Sequence, residues 1–193
     1  MPNTGPEGPL SHKLDGMLTP VEVTRTYLEL SAPHQLRPVP SPDPTLRLEH
    51  AADCAPALYR RLYRDVGERY HWRDRAEWSD DQIRTHLARA EISVWVLYRG
   101  QAPAGWFELA RHDDASVEIA YFGLLPEFTG AGLGKHMLSL AAEEAWRLTH
   151  TRVWLHTCTL DSPAALPNYL ARGFRPFRQE RYTVSVERGD AGA

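Results

Sequence analysis

Residues 117–135 read VEIAYFGLLPEFTGAGLGK, and this stretch decides how the chain folds. An apolar β-type run, Val117 to Leu125, meets Pro126. Three glycines two apart follow (Gly130, Gly132, Gly134), and an amphipathic helix begins behind them. Glycines at a strand–helix junction let the backbone take positive φ and let a ligand approach closely. The helix offers unpaired N–H groups and the positive end of its dipole, which suits a phosphate or pyrophosphate. Two other phosphate-binding patterns fail here. A dinucleotide fingerprint needs Gly-x-Gly-x-x-Gly, whereas the spacing is Gly-x-Gly-x-Gly. A P-loop needs glycine where Thr129 stands and Ser or Thr where His136 stands. A glycine-rich turn that serves packing alone is the competing reading.

Composition narrows the class. With 193 residues, 42% of them hydrophobic, the chain suits one domain with a sizeable core plus an appendage. A net charge of −3 gives no global basic field for nucleic acid or an anionic membrane surface. No stretch approaches the roughly 20 apolar residues of a membrane span, and the N-terminus lacks a signal-peptide core. Cys54 and Cys158 have neither metal-ligand spacing nor a disulfide framework. The expectation is a cytoplasmic protein with no metal.

Outward from the loop, periodicity sets the elements. Residues 1–20, rich in proline and glycine, read as a disordered leader in which Met17 is an alternative start. Residues 21–45 form an N-terminal extension: a strand over Val21 to Leu30, then a connector with five prolines between Pro33 and Pro44. The main domain spans 46–193. Leu46 to Glu49 is a short strand. Asp53 caps a helix with Pro56 in its first turn and Leu58, Leu62 and Val66 as its stripe. Ser79 with Gln82 makes a capping box for a second helix, on which Ile83, Leu87 and Ala90 share a face. Ile92 to Arg99 and Pro103 to Arg111 form a hairpin about Gly100, and Asp113-Asp114 turns the chain into the strand that enters the glycine loop. Met137, Ala141, Ala145 and Leu148 line the next helix. Arg152 to Thr159 is a strand, Ser162-Pro163 opens a helix ending at Gly173, and Phe174 to Phe177 and Tyr182 to Val186 finish as two strands. The class is α+β of three-layer type.

This order, with the glycine loop in its place, resembles the GNAT superfamily of acyl-CoA-dependent N-acetyltransferases over roughly Leu46 to Val186. The loop is similar to the family's Gln/Arg-x-x-Gly-x-Gly/Ala pattern, aligned on Thr129 to Gly134. The segment from Ser162 to Phe174 is similar to Asn-x-x-Ala-x-x-x-Tyr-x-x-x-Gly-Phe, with Ala165, Tyr169, Gly173 and Phe174 matching. Glu118 stands where several members carry a general base. Thr129 in place of Gln or Arg, and Ser162 in place of Asn, depart from the pattern, and Pro167 should kink or delay the last helix.

The resemblance implies a mixed, mostly antiparallel central sheet flanked by helices. It also implies direct acetyl transfer from acetyl-CoA, as cosubstrate, to a primary amine of a small molecule or peptide. Phe122, Leu124 and Leu125 would then meet the pantetheine arm through their backbone. Thr129, Gly130, Ala131, Gly132, Leu133, Gly134 and Lys135 would hold the pyrophosphate, with Ser162 contacting the arm. Tyr169 is the expected acid for the leaving thiolate and Glu118 the expected base, with Glu108 as its rival. Tyr70, His71, Trp72 and Trp78, between the first two helices, would wall the acceptor, or else only pack together. His156 and Cys158 lie on one strand face, where packing outweighs nucleophilic or metal chemistry. No nucleic-acid or membrane partner is expected; a homodimer fits the family's habits. The alternative is a CoA-binding sensor or interaction module on the same fold, with catalysis weakened or lost.

Overall fold

The computed structural model describes residues 18–187. Among them the order is β1 (Leu18–Leu30), β2 (Leu46–His50), α1 (Pro56–Gly67), α2 (Asp80–Leu87), β3 (Ile92–Arg99), β4 (Ala102–Arg111), β5 (Val117–Leu124), α3 (Leu133–Leu148), β6 (Val153–Cys158), α4 (Ala165–Ala171) and β7 (Arg175–Glu187). The strands form one mixed sheet in the order β2-β3-β4-β5-β6-β1-β7. β2 to β5 meander antiparallel, β6 joins β5 in parallel, and β1 lies antiparallel to β6. Two compact units divide the chain. The larger is Thr24–Glu180; the smaller, among the described residues, is 18–23 with 181–187, parts of β1 and β7.

Within the larger unit the sheet carries a hydrophobic cluster on each face. On one, Phe107, Leu109, Val117, Ile119, Val153 and Leu155 pack against Met137, Leu138, Ala141 and Ala145 of α3 and Tyr169 of α4. On the other, Val94, Val96 and Trp106 pack against Tyr59, Leu62, Tyr63 and Val66 of α1 and Ile83 of α2. A glycine fixes the closest approach of α1 to the sheet. A Cβ on Gly123 would lie 2.2 Å from Val66 Cγ1, so only hydrogen fits between helix and strand there.

Local chemistry explains most boundaries. Ser79 caps α2 with the expected capping box to Gln82. Gly100, at φ 59°, turns β3 into β4. α4 begins at Ala165, so Pro167 sits in its first turn, where a missing N–H costs little. Other expectations need correction. β1 begins at Leu18, not Val21; residues 1–17 of the expected leader, Met17 included, lie outside the described residues. The cap of α1 is Ala55, not Asp53: Pro56 takes N1 and holds Ala55 extended at ψ 140°. α2 ends at Leu87, which leaves Ala90 outside it. Leu148 closes α3 at 43% exposure instead of joining the stripe. The two C-terminal strands are one, β7, because 175–187 holds no glycine, asparagine or aspartate to turn it. Among the described residues no helix is long and apolar enough to cross a membrane.

Candidate functional site

The cleft starts where β5 and β6 part. Their parallel pairing covers only Val117–Val153 and Glu118–Trp154. Beyond Glu118, β5 continues beside β4 but, among the described residues, leaves its other edge without a partner strand. The ladder fixes which groups line that edge. Leu125 N–H donates to Ala104 O at 2.9 Å, and Gly123 and Tyr121 stand opposite Trp106 and Glu108. Bonded positions alternate in an antiparallel pair, so Phe122 and Leu124 turn their N–H and C=O groups away from β4 into the gap. Leu125 does not join them. Its N–H is taken by Ala104, its carbonyl accepts from Phe128 N–H at 3.0 Å, and its side chain is buried against α1.

The same edge runs into the glycine loop. Gly130 and Gly132 take φ of 79° and 77°, and Gly132 is the N-cap of α3 without any side-chain cap. The N–H groups of Leu133, Gly134 and Lys135 in the first turn thus have no capping side chain. The Lys135 stem folds back, its Cε 3.3 Å from where a Cβ on Gly132 would stand, which holds the ammonium beside the loop. Gly130, Ala131 and Gly132 are exposed. Gly134, inside the helix, has ordinary φ; its carbonyl accepts from Asn168 Nδ2 of α4 at 3.3 Å. Thr129 donates its hydroxyl to Pro126 O at 2.8 Å. Ser162 Oγ likewise makes a local bond, accepting from Ala164 N–H at 3.3 Å. Among the described residues no group of three or more His, Cys, Asp or Glu could hold a metal ion.

Tyr169, on α4, is buried in the cluster against α3. Its ring meets Phe122 and Phe174 edge-on, each at 6.3 Å between centroids. Burial, and after it the charge of Asp161, push the phenol well above its ordinary range, so it keeps its proton at neutral pH. Glu118 is the last β5 residue before the strands part. Its Oε2 lies 3.0 Å from His112 Nε2 and its Oε1 3.8 Å from His156 Nε2. His156 does not pack inward as expected. β6 alternation gives Val153, Leu155 and Thr157 to the core and leaves Trp154, His156 and Cys158 on the opposite side, with His156 36% exposed.

Glu108 sits in a different environment. It is fully buried and accepts from Tyr59 O–H at 2.8 Å and from Arg75 Nη1 at 2.9 and 3.0 Å, with His86 Nε2 at 3.1 Å. Burial alone would raise this carboxyl, but the bond to His86 and the Arg75 charge hold it below the ordinary carboxylate range. A carboxylate with its lone pairs committed to these donors is a poor proton acceptor for a ligand. Arg75 also lies over the rings of Tyr121 at 4.3 Å and Trp78 at 4.9 Å. Trp72 packs on Tyr63, Trp106 and Tyr121, with centroids 5.0 to 6.3 Å apart. Thus Trp72 and Trp78 belong to the packing between α1, α2 and the sheet, while Tyr70 and His71 are half-buried at the end of α1. Phe122, Leu124, the loop and Tyr169 come together along one cleft edge, and Glu118 stands at its apex.

Reading the sequence missed Arg75, His86 and Tyr59 around Glu108, and His112 beside Glu118. The first three come from separate elements with no shared spacing. The last was findable: the Asp113-Asp114 turn folds His112 back onto the strand holding Glu118.

Comparison with known proteins adds to this geometry. Residues 56–174 match the Acetyltransferase (GNAT) family. A search of curated proteins finds no match to the chain. Among solved structures, a GCN5-related N-acetyltransferase from Kribbella flavida superposes with a TM-score of 0.61 at 18% identity, over 90% of this chain and 62% of its own. A GCN5-related N-acetyltransferase from Sphaerobacter thermophilus gives 0.61 at 15% identity, over 89% and 54%. An aminoglycoside acetyltransferase from an uncultured soil metagenomic sample, in complex with sisomicin, gives 0.56 at 13% identity, over 68% and 90%. This chain therefore spans less than two thirds of the first two, and likenesses at this identity speak for the fold.

Proposed function

Because this chain belongs to the Acetyltransferase (GNAT) family, we propose that it transfers an acetyl group from acetyl-CoA directly to a primary amine of a small molecule or peptide, in a ternary complex. The observation that carries this reading is the β5 edge beyond Glu118, free of a partner strand among the described residues and joined through the glycine loop to an α3 N-terminus with no side-chain cap. Acetyl-CoA would supply an activated thioester and, in its pyrophosphate, the anion for the loop. The free N–H and C=O groups of Phe122 and Leu124 would pair with an amide-bearing arm as a strand does, and one N–H would polarise the thioester carbonyl. Gly130 and Gly132 let the loop close on a pyrophosphate, the first-turn N–H groups of α3 would donate to it, and Lys135 would add charge.

An ammonium has no lone pair, so the acceptor must lose a proton before it attacks. Glu118 is the base in this scheme, because Glu108 is saturated by its own donors. Tyr169, whose ring meets Phe122 on the β5 edge, is the acid that protonates the departing thiolate. A small-molecule acceptor is supported by analogy with the aminoglycoside acetyltransferase of the same fold. The test is steady-state acetyl transfer to a panel of primary amines. Glu118→Gln should lower turnover by about 10²-fold or more, and Tyr169→Phe by about tenfold. Wild-type turnover in both variants would show the assigned chemistry to be wrong.

A further inference from the structure

We infer that His112 is the proton-exit residue of this site, carrying the acceptor's proton from Glu118 to solvent. The inference rests on the acyltransferase reading above and concerns a residue outside the cleft.

Proton balance sets what the site must do. An ammonium acceptor and a thioester become an amide and a thiol: one N–C bond forms, one C–S bond breaks, and two protons leave nitrogen. One proton returns to the thiolate and the other must reach bulk water. Glu118, which takes the proton bound for water, has a side chain only 14% exposed. It stands at the apex of a cleft that donor and acceptor would fill together, so water in the cleft is displaced when the carboxyl needs to unload.

His112 gives the carboxyl a second side. Its Nε2 lies 3.0 Å from Glu118 Oε2, a hydrogen-bond distance, while its side chain is 41% exposed. It is held there. The hairpin closes through His112 N–H to Ser116 O at 2.9 Å, and the imidazole packs on the Trp154 ring at 5.3 Å. Trp154 is fixed in turn by Nε1–H donating to Ser116 Oγ at 3.1 Å. One nitrogen at the carboxylate, an exposed ring and a braced orientation are what a proton relay through imidazole requires.

The other groups facing this pair do not offer the same exit. His156, from β6, stands 3.8 Å from Glu118, beyond hydrogen-bond reach. Burial outweighs the attraction of Glu118 and, with Arg25 nearby, disfavours its charged form, although Asp161 pulls the other way. Arg152, which lies near Trp154, is committed to ion pairs with Glu29 and Asp114. Tyr27, from β1, meets His156 edge-on.

The experiment measures acetyl-CoA turnover with 2-phenylethylamine and spermidine as probe amines, for wild type, His112→Gln and Glu118→Gln, with and without added imidazole. The relay predicts that His112→Gln lowers kcat about tenfold with KM for the amine within about twofold. Imidazole at tens of millimolar should then restore most of the loss, and the solvent deuterium effect on kcat should grow. A structural role for His112 would not respond to imidazole. Wild-type kcat in His112→Gln, or a loss that imidazole leaves unchanged, overturns the relay while the acyltransferase reading stands. Full activity in Glu118→Gln overturns both the base and the relay. No turnover of either amine by wild type removes the premise and the inference with it.

Discussion

Replacing Arg75 by methionine tests how the region beside the cleft is held. Arg75 is 12% exposed at its side chain and donates both short bonds to a Glu108 carboxylate with no exposure at all. Removing one partner of a buried ion pair leaves the other charge uncompensated, which costs about 3–5 kcal/mol. Tyr59 O–H and His86 would still reach Glu108, and methionine would fill most of the space over Tyr121 and Trp78. The expected loss is therefore at the lower end, about 3 kcal/mol. For a chain of this size that moves a urea unfolding midpoint by about 1 M, followed by tryptophan fluorescence. The double variant Arg75→Met/Glu108→Met removes both charges and should recover a large part of the loss, since an apolar replacement of a whole pair is often neutral. A single variant that loses under about 1 kcal/mol, or a double variant no more stable than the single, would refute the claim that this pair clamps the segment between α1 and α2.

Three further outcomes follow from the same structure. Because Glu108 is held below its unfolded value, its contribution is complete above the ordinary carboxylate range and is lost as pH falls through the lower folded value; Glu108→Gln should flatten stability against pH below about 4.3, read by urea midpoints from pH 3 to 7. Gly123→Ala places a methyl 2.2 Å from Val66 Cγ1 and should cost about 1–3 kcal/mol, with Val66→Ala in the same chain relieving part of it in thermal melts. Ala55→Asp gives α1 the side-chain cap it lacks and should raise stability by about 1 kcal/mol in the same assay.

Where a single residue type dictated backbone shape, the sequence was readable. The Ser79/Gln82 box, the Gly100 turn and the positive φ of Gly130 and Gly132 each follow from local chemistry that no distant contact overrides. Boundaries failed where two local rules competed. Asp53 is a good cap, but Pro56 demands N1 and an extended residue before it, so Ala55 won. The place of β1 between β6 and β7 was not legible, since alternation gives a strand's faces and not its neighbours. The same limit applies to the site. Phe122 and Leu124 followed from family likeness, but excluding Leu125 required the Ala104 bond across the ladder. Glu118 and Glu108 looked equivalent as carboxylates on adjacent strands. Only the donors converging on Glu108 from α1, α2 and the intervening loop separate them, and those residues share no pattern along the chain. His156 was misread because the side of β6 away from α3 is not closed over like its core side.

Whether the free β5 edge and the start of α3 form the donor site is decided by calorimetric titration of acetyl-CoA into the purified protein. The expected result is micromolar binding, retained by desulfo-CoA and abolished by Gly132→Glu, which forces a side chain and a negative charge into a position with φ of 77° at the helix N-cap. Absence of binding by the wild type, or undiminished binding by Gly132→Glu, would contradict it.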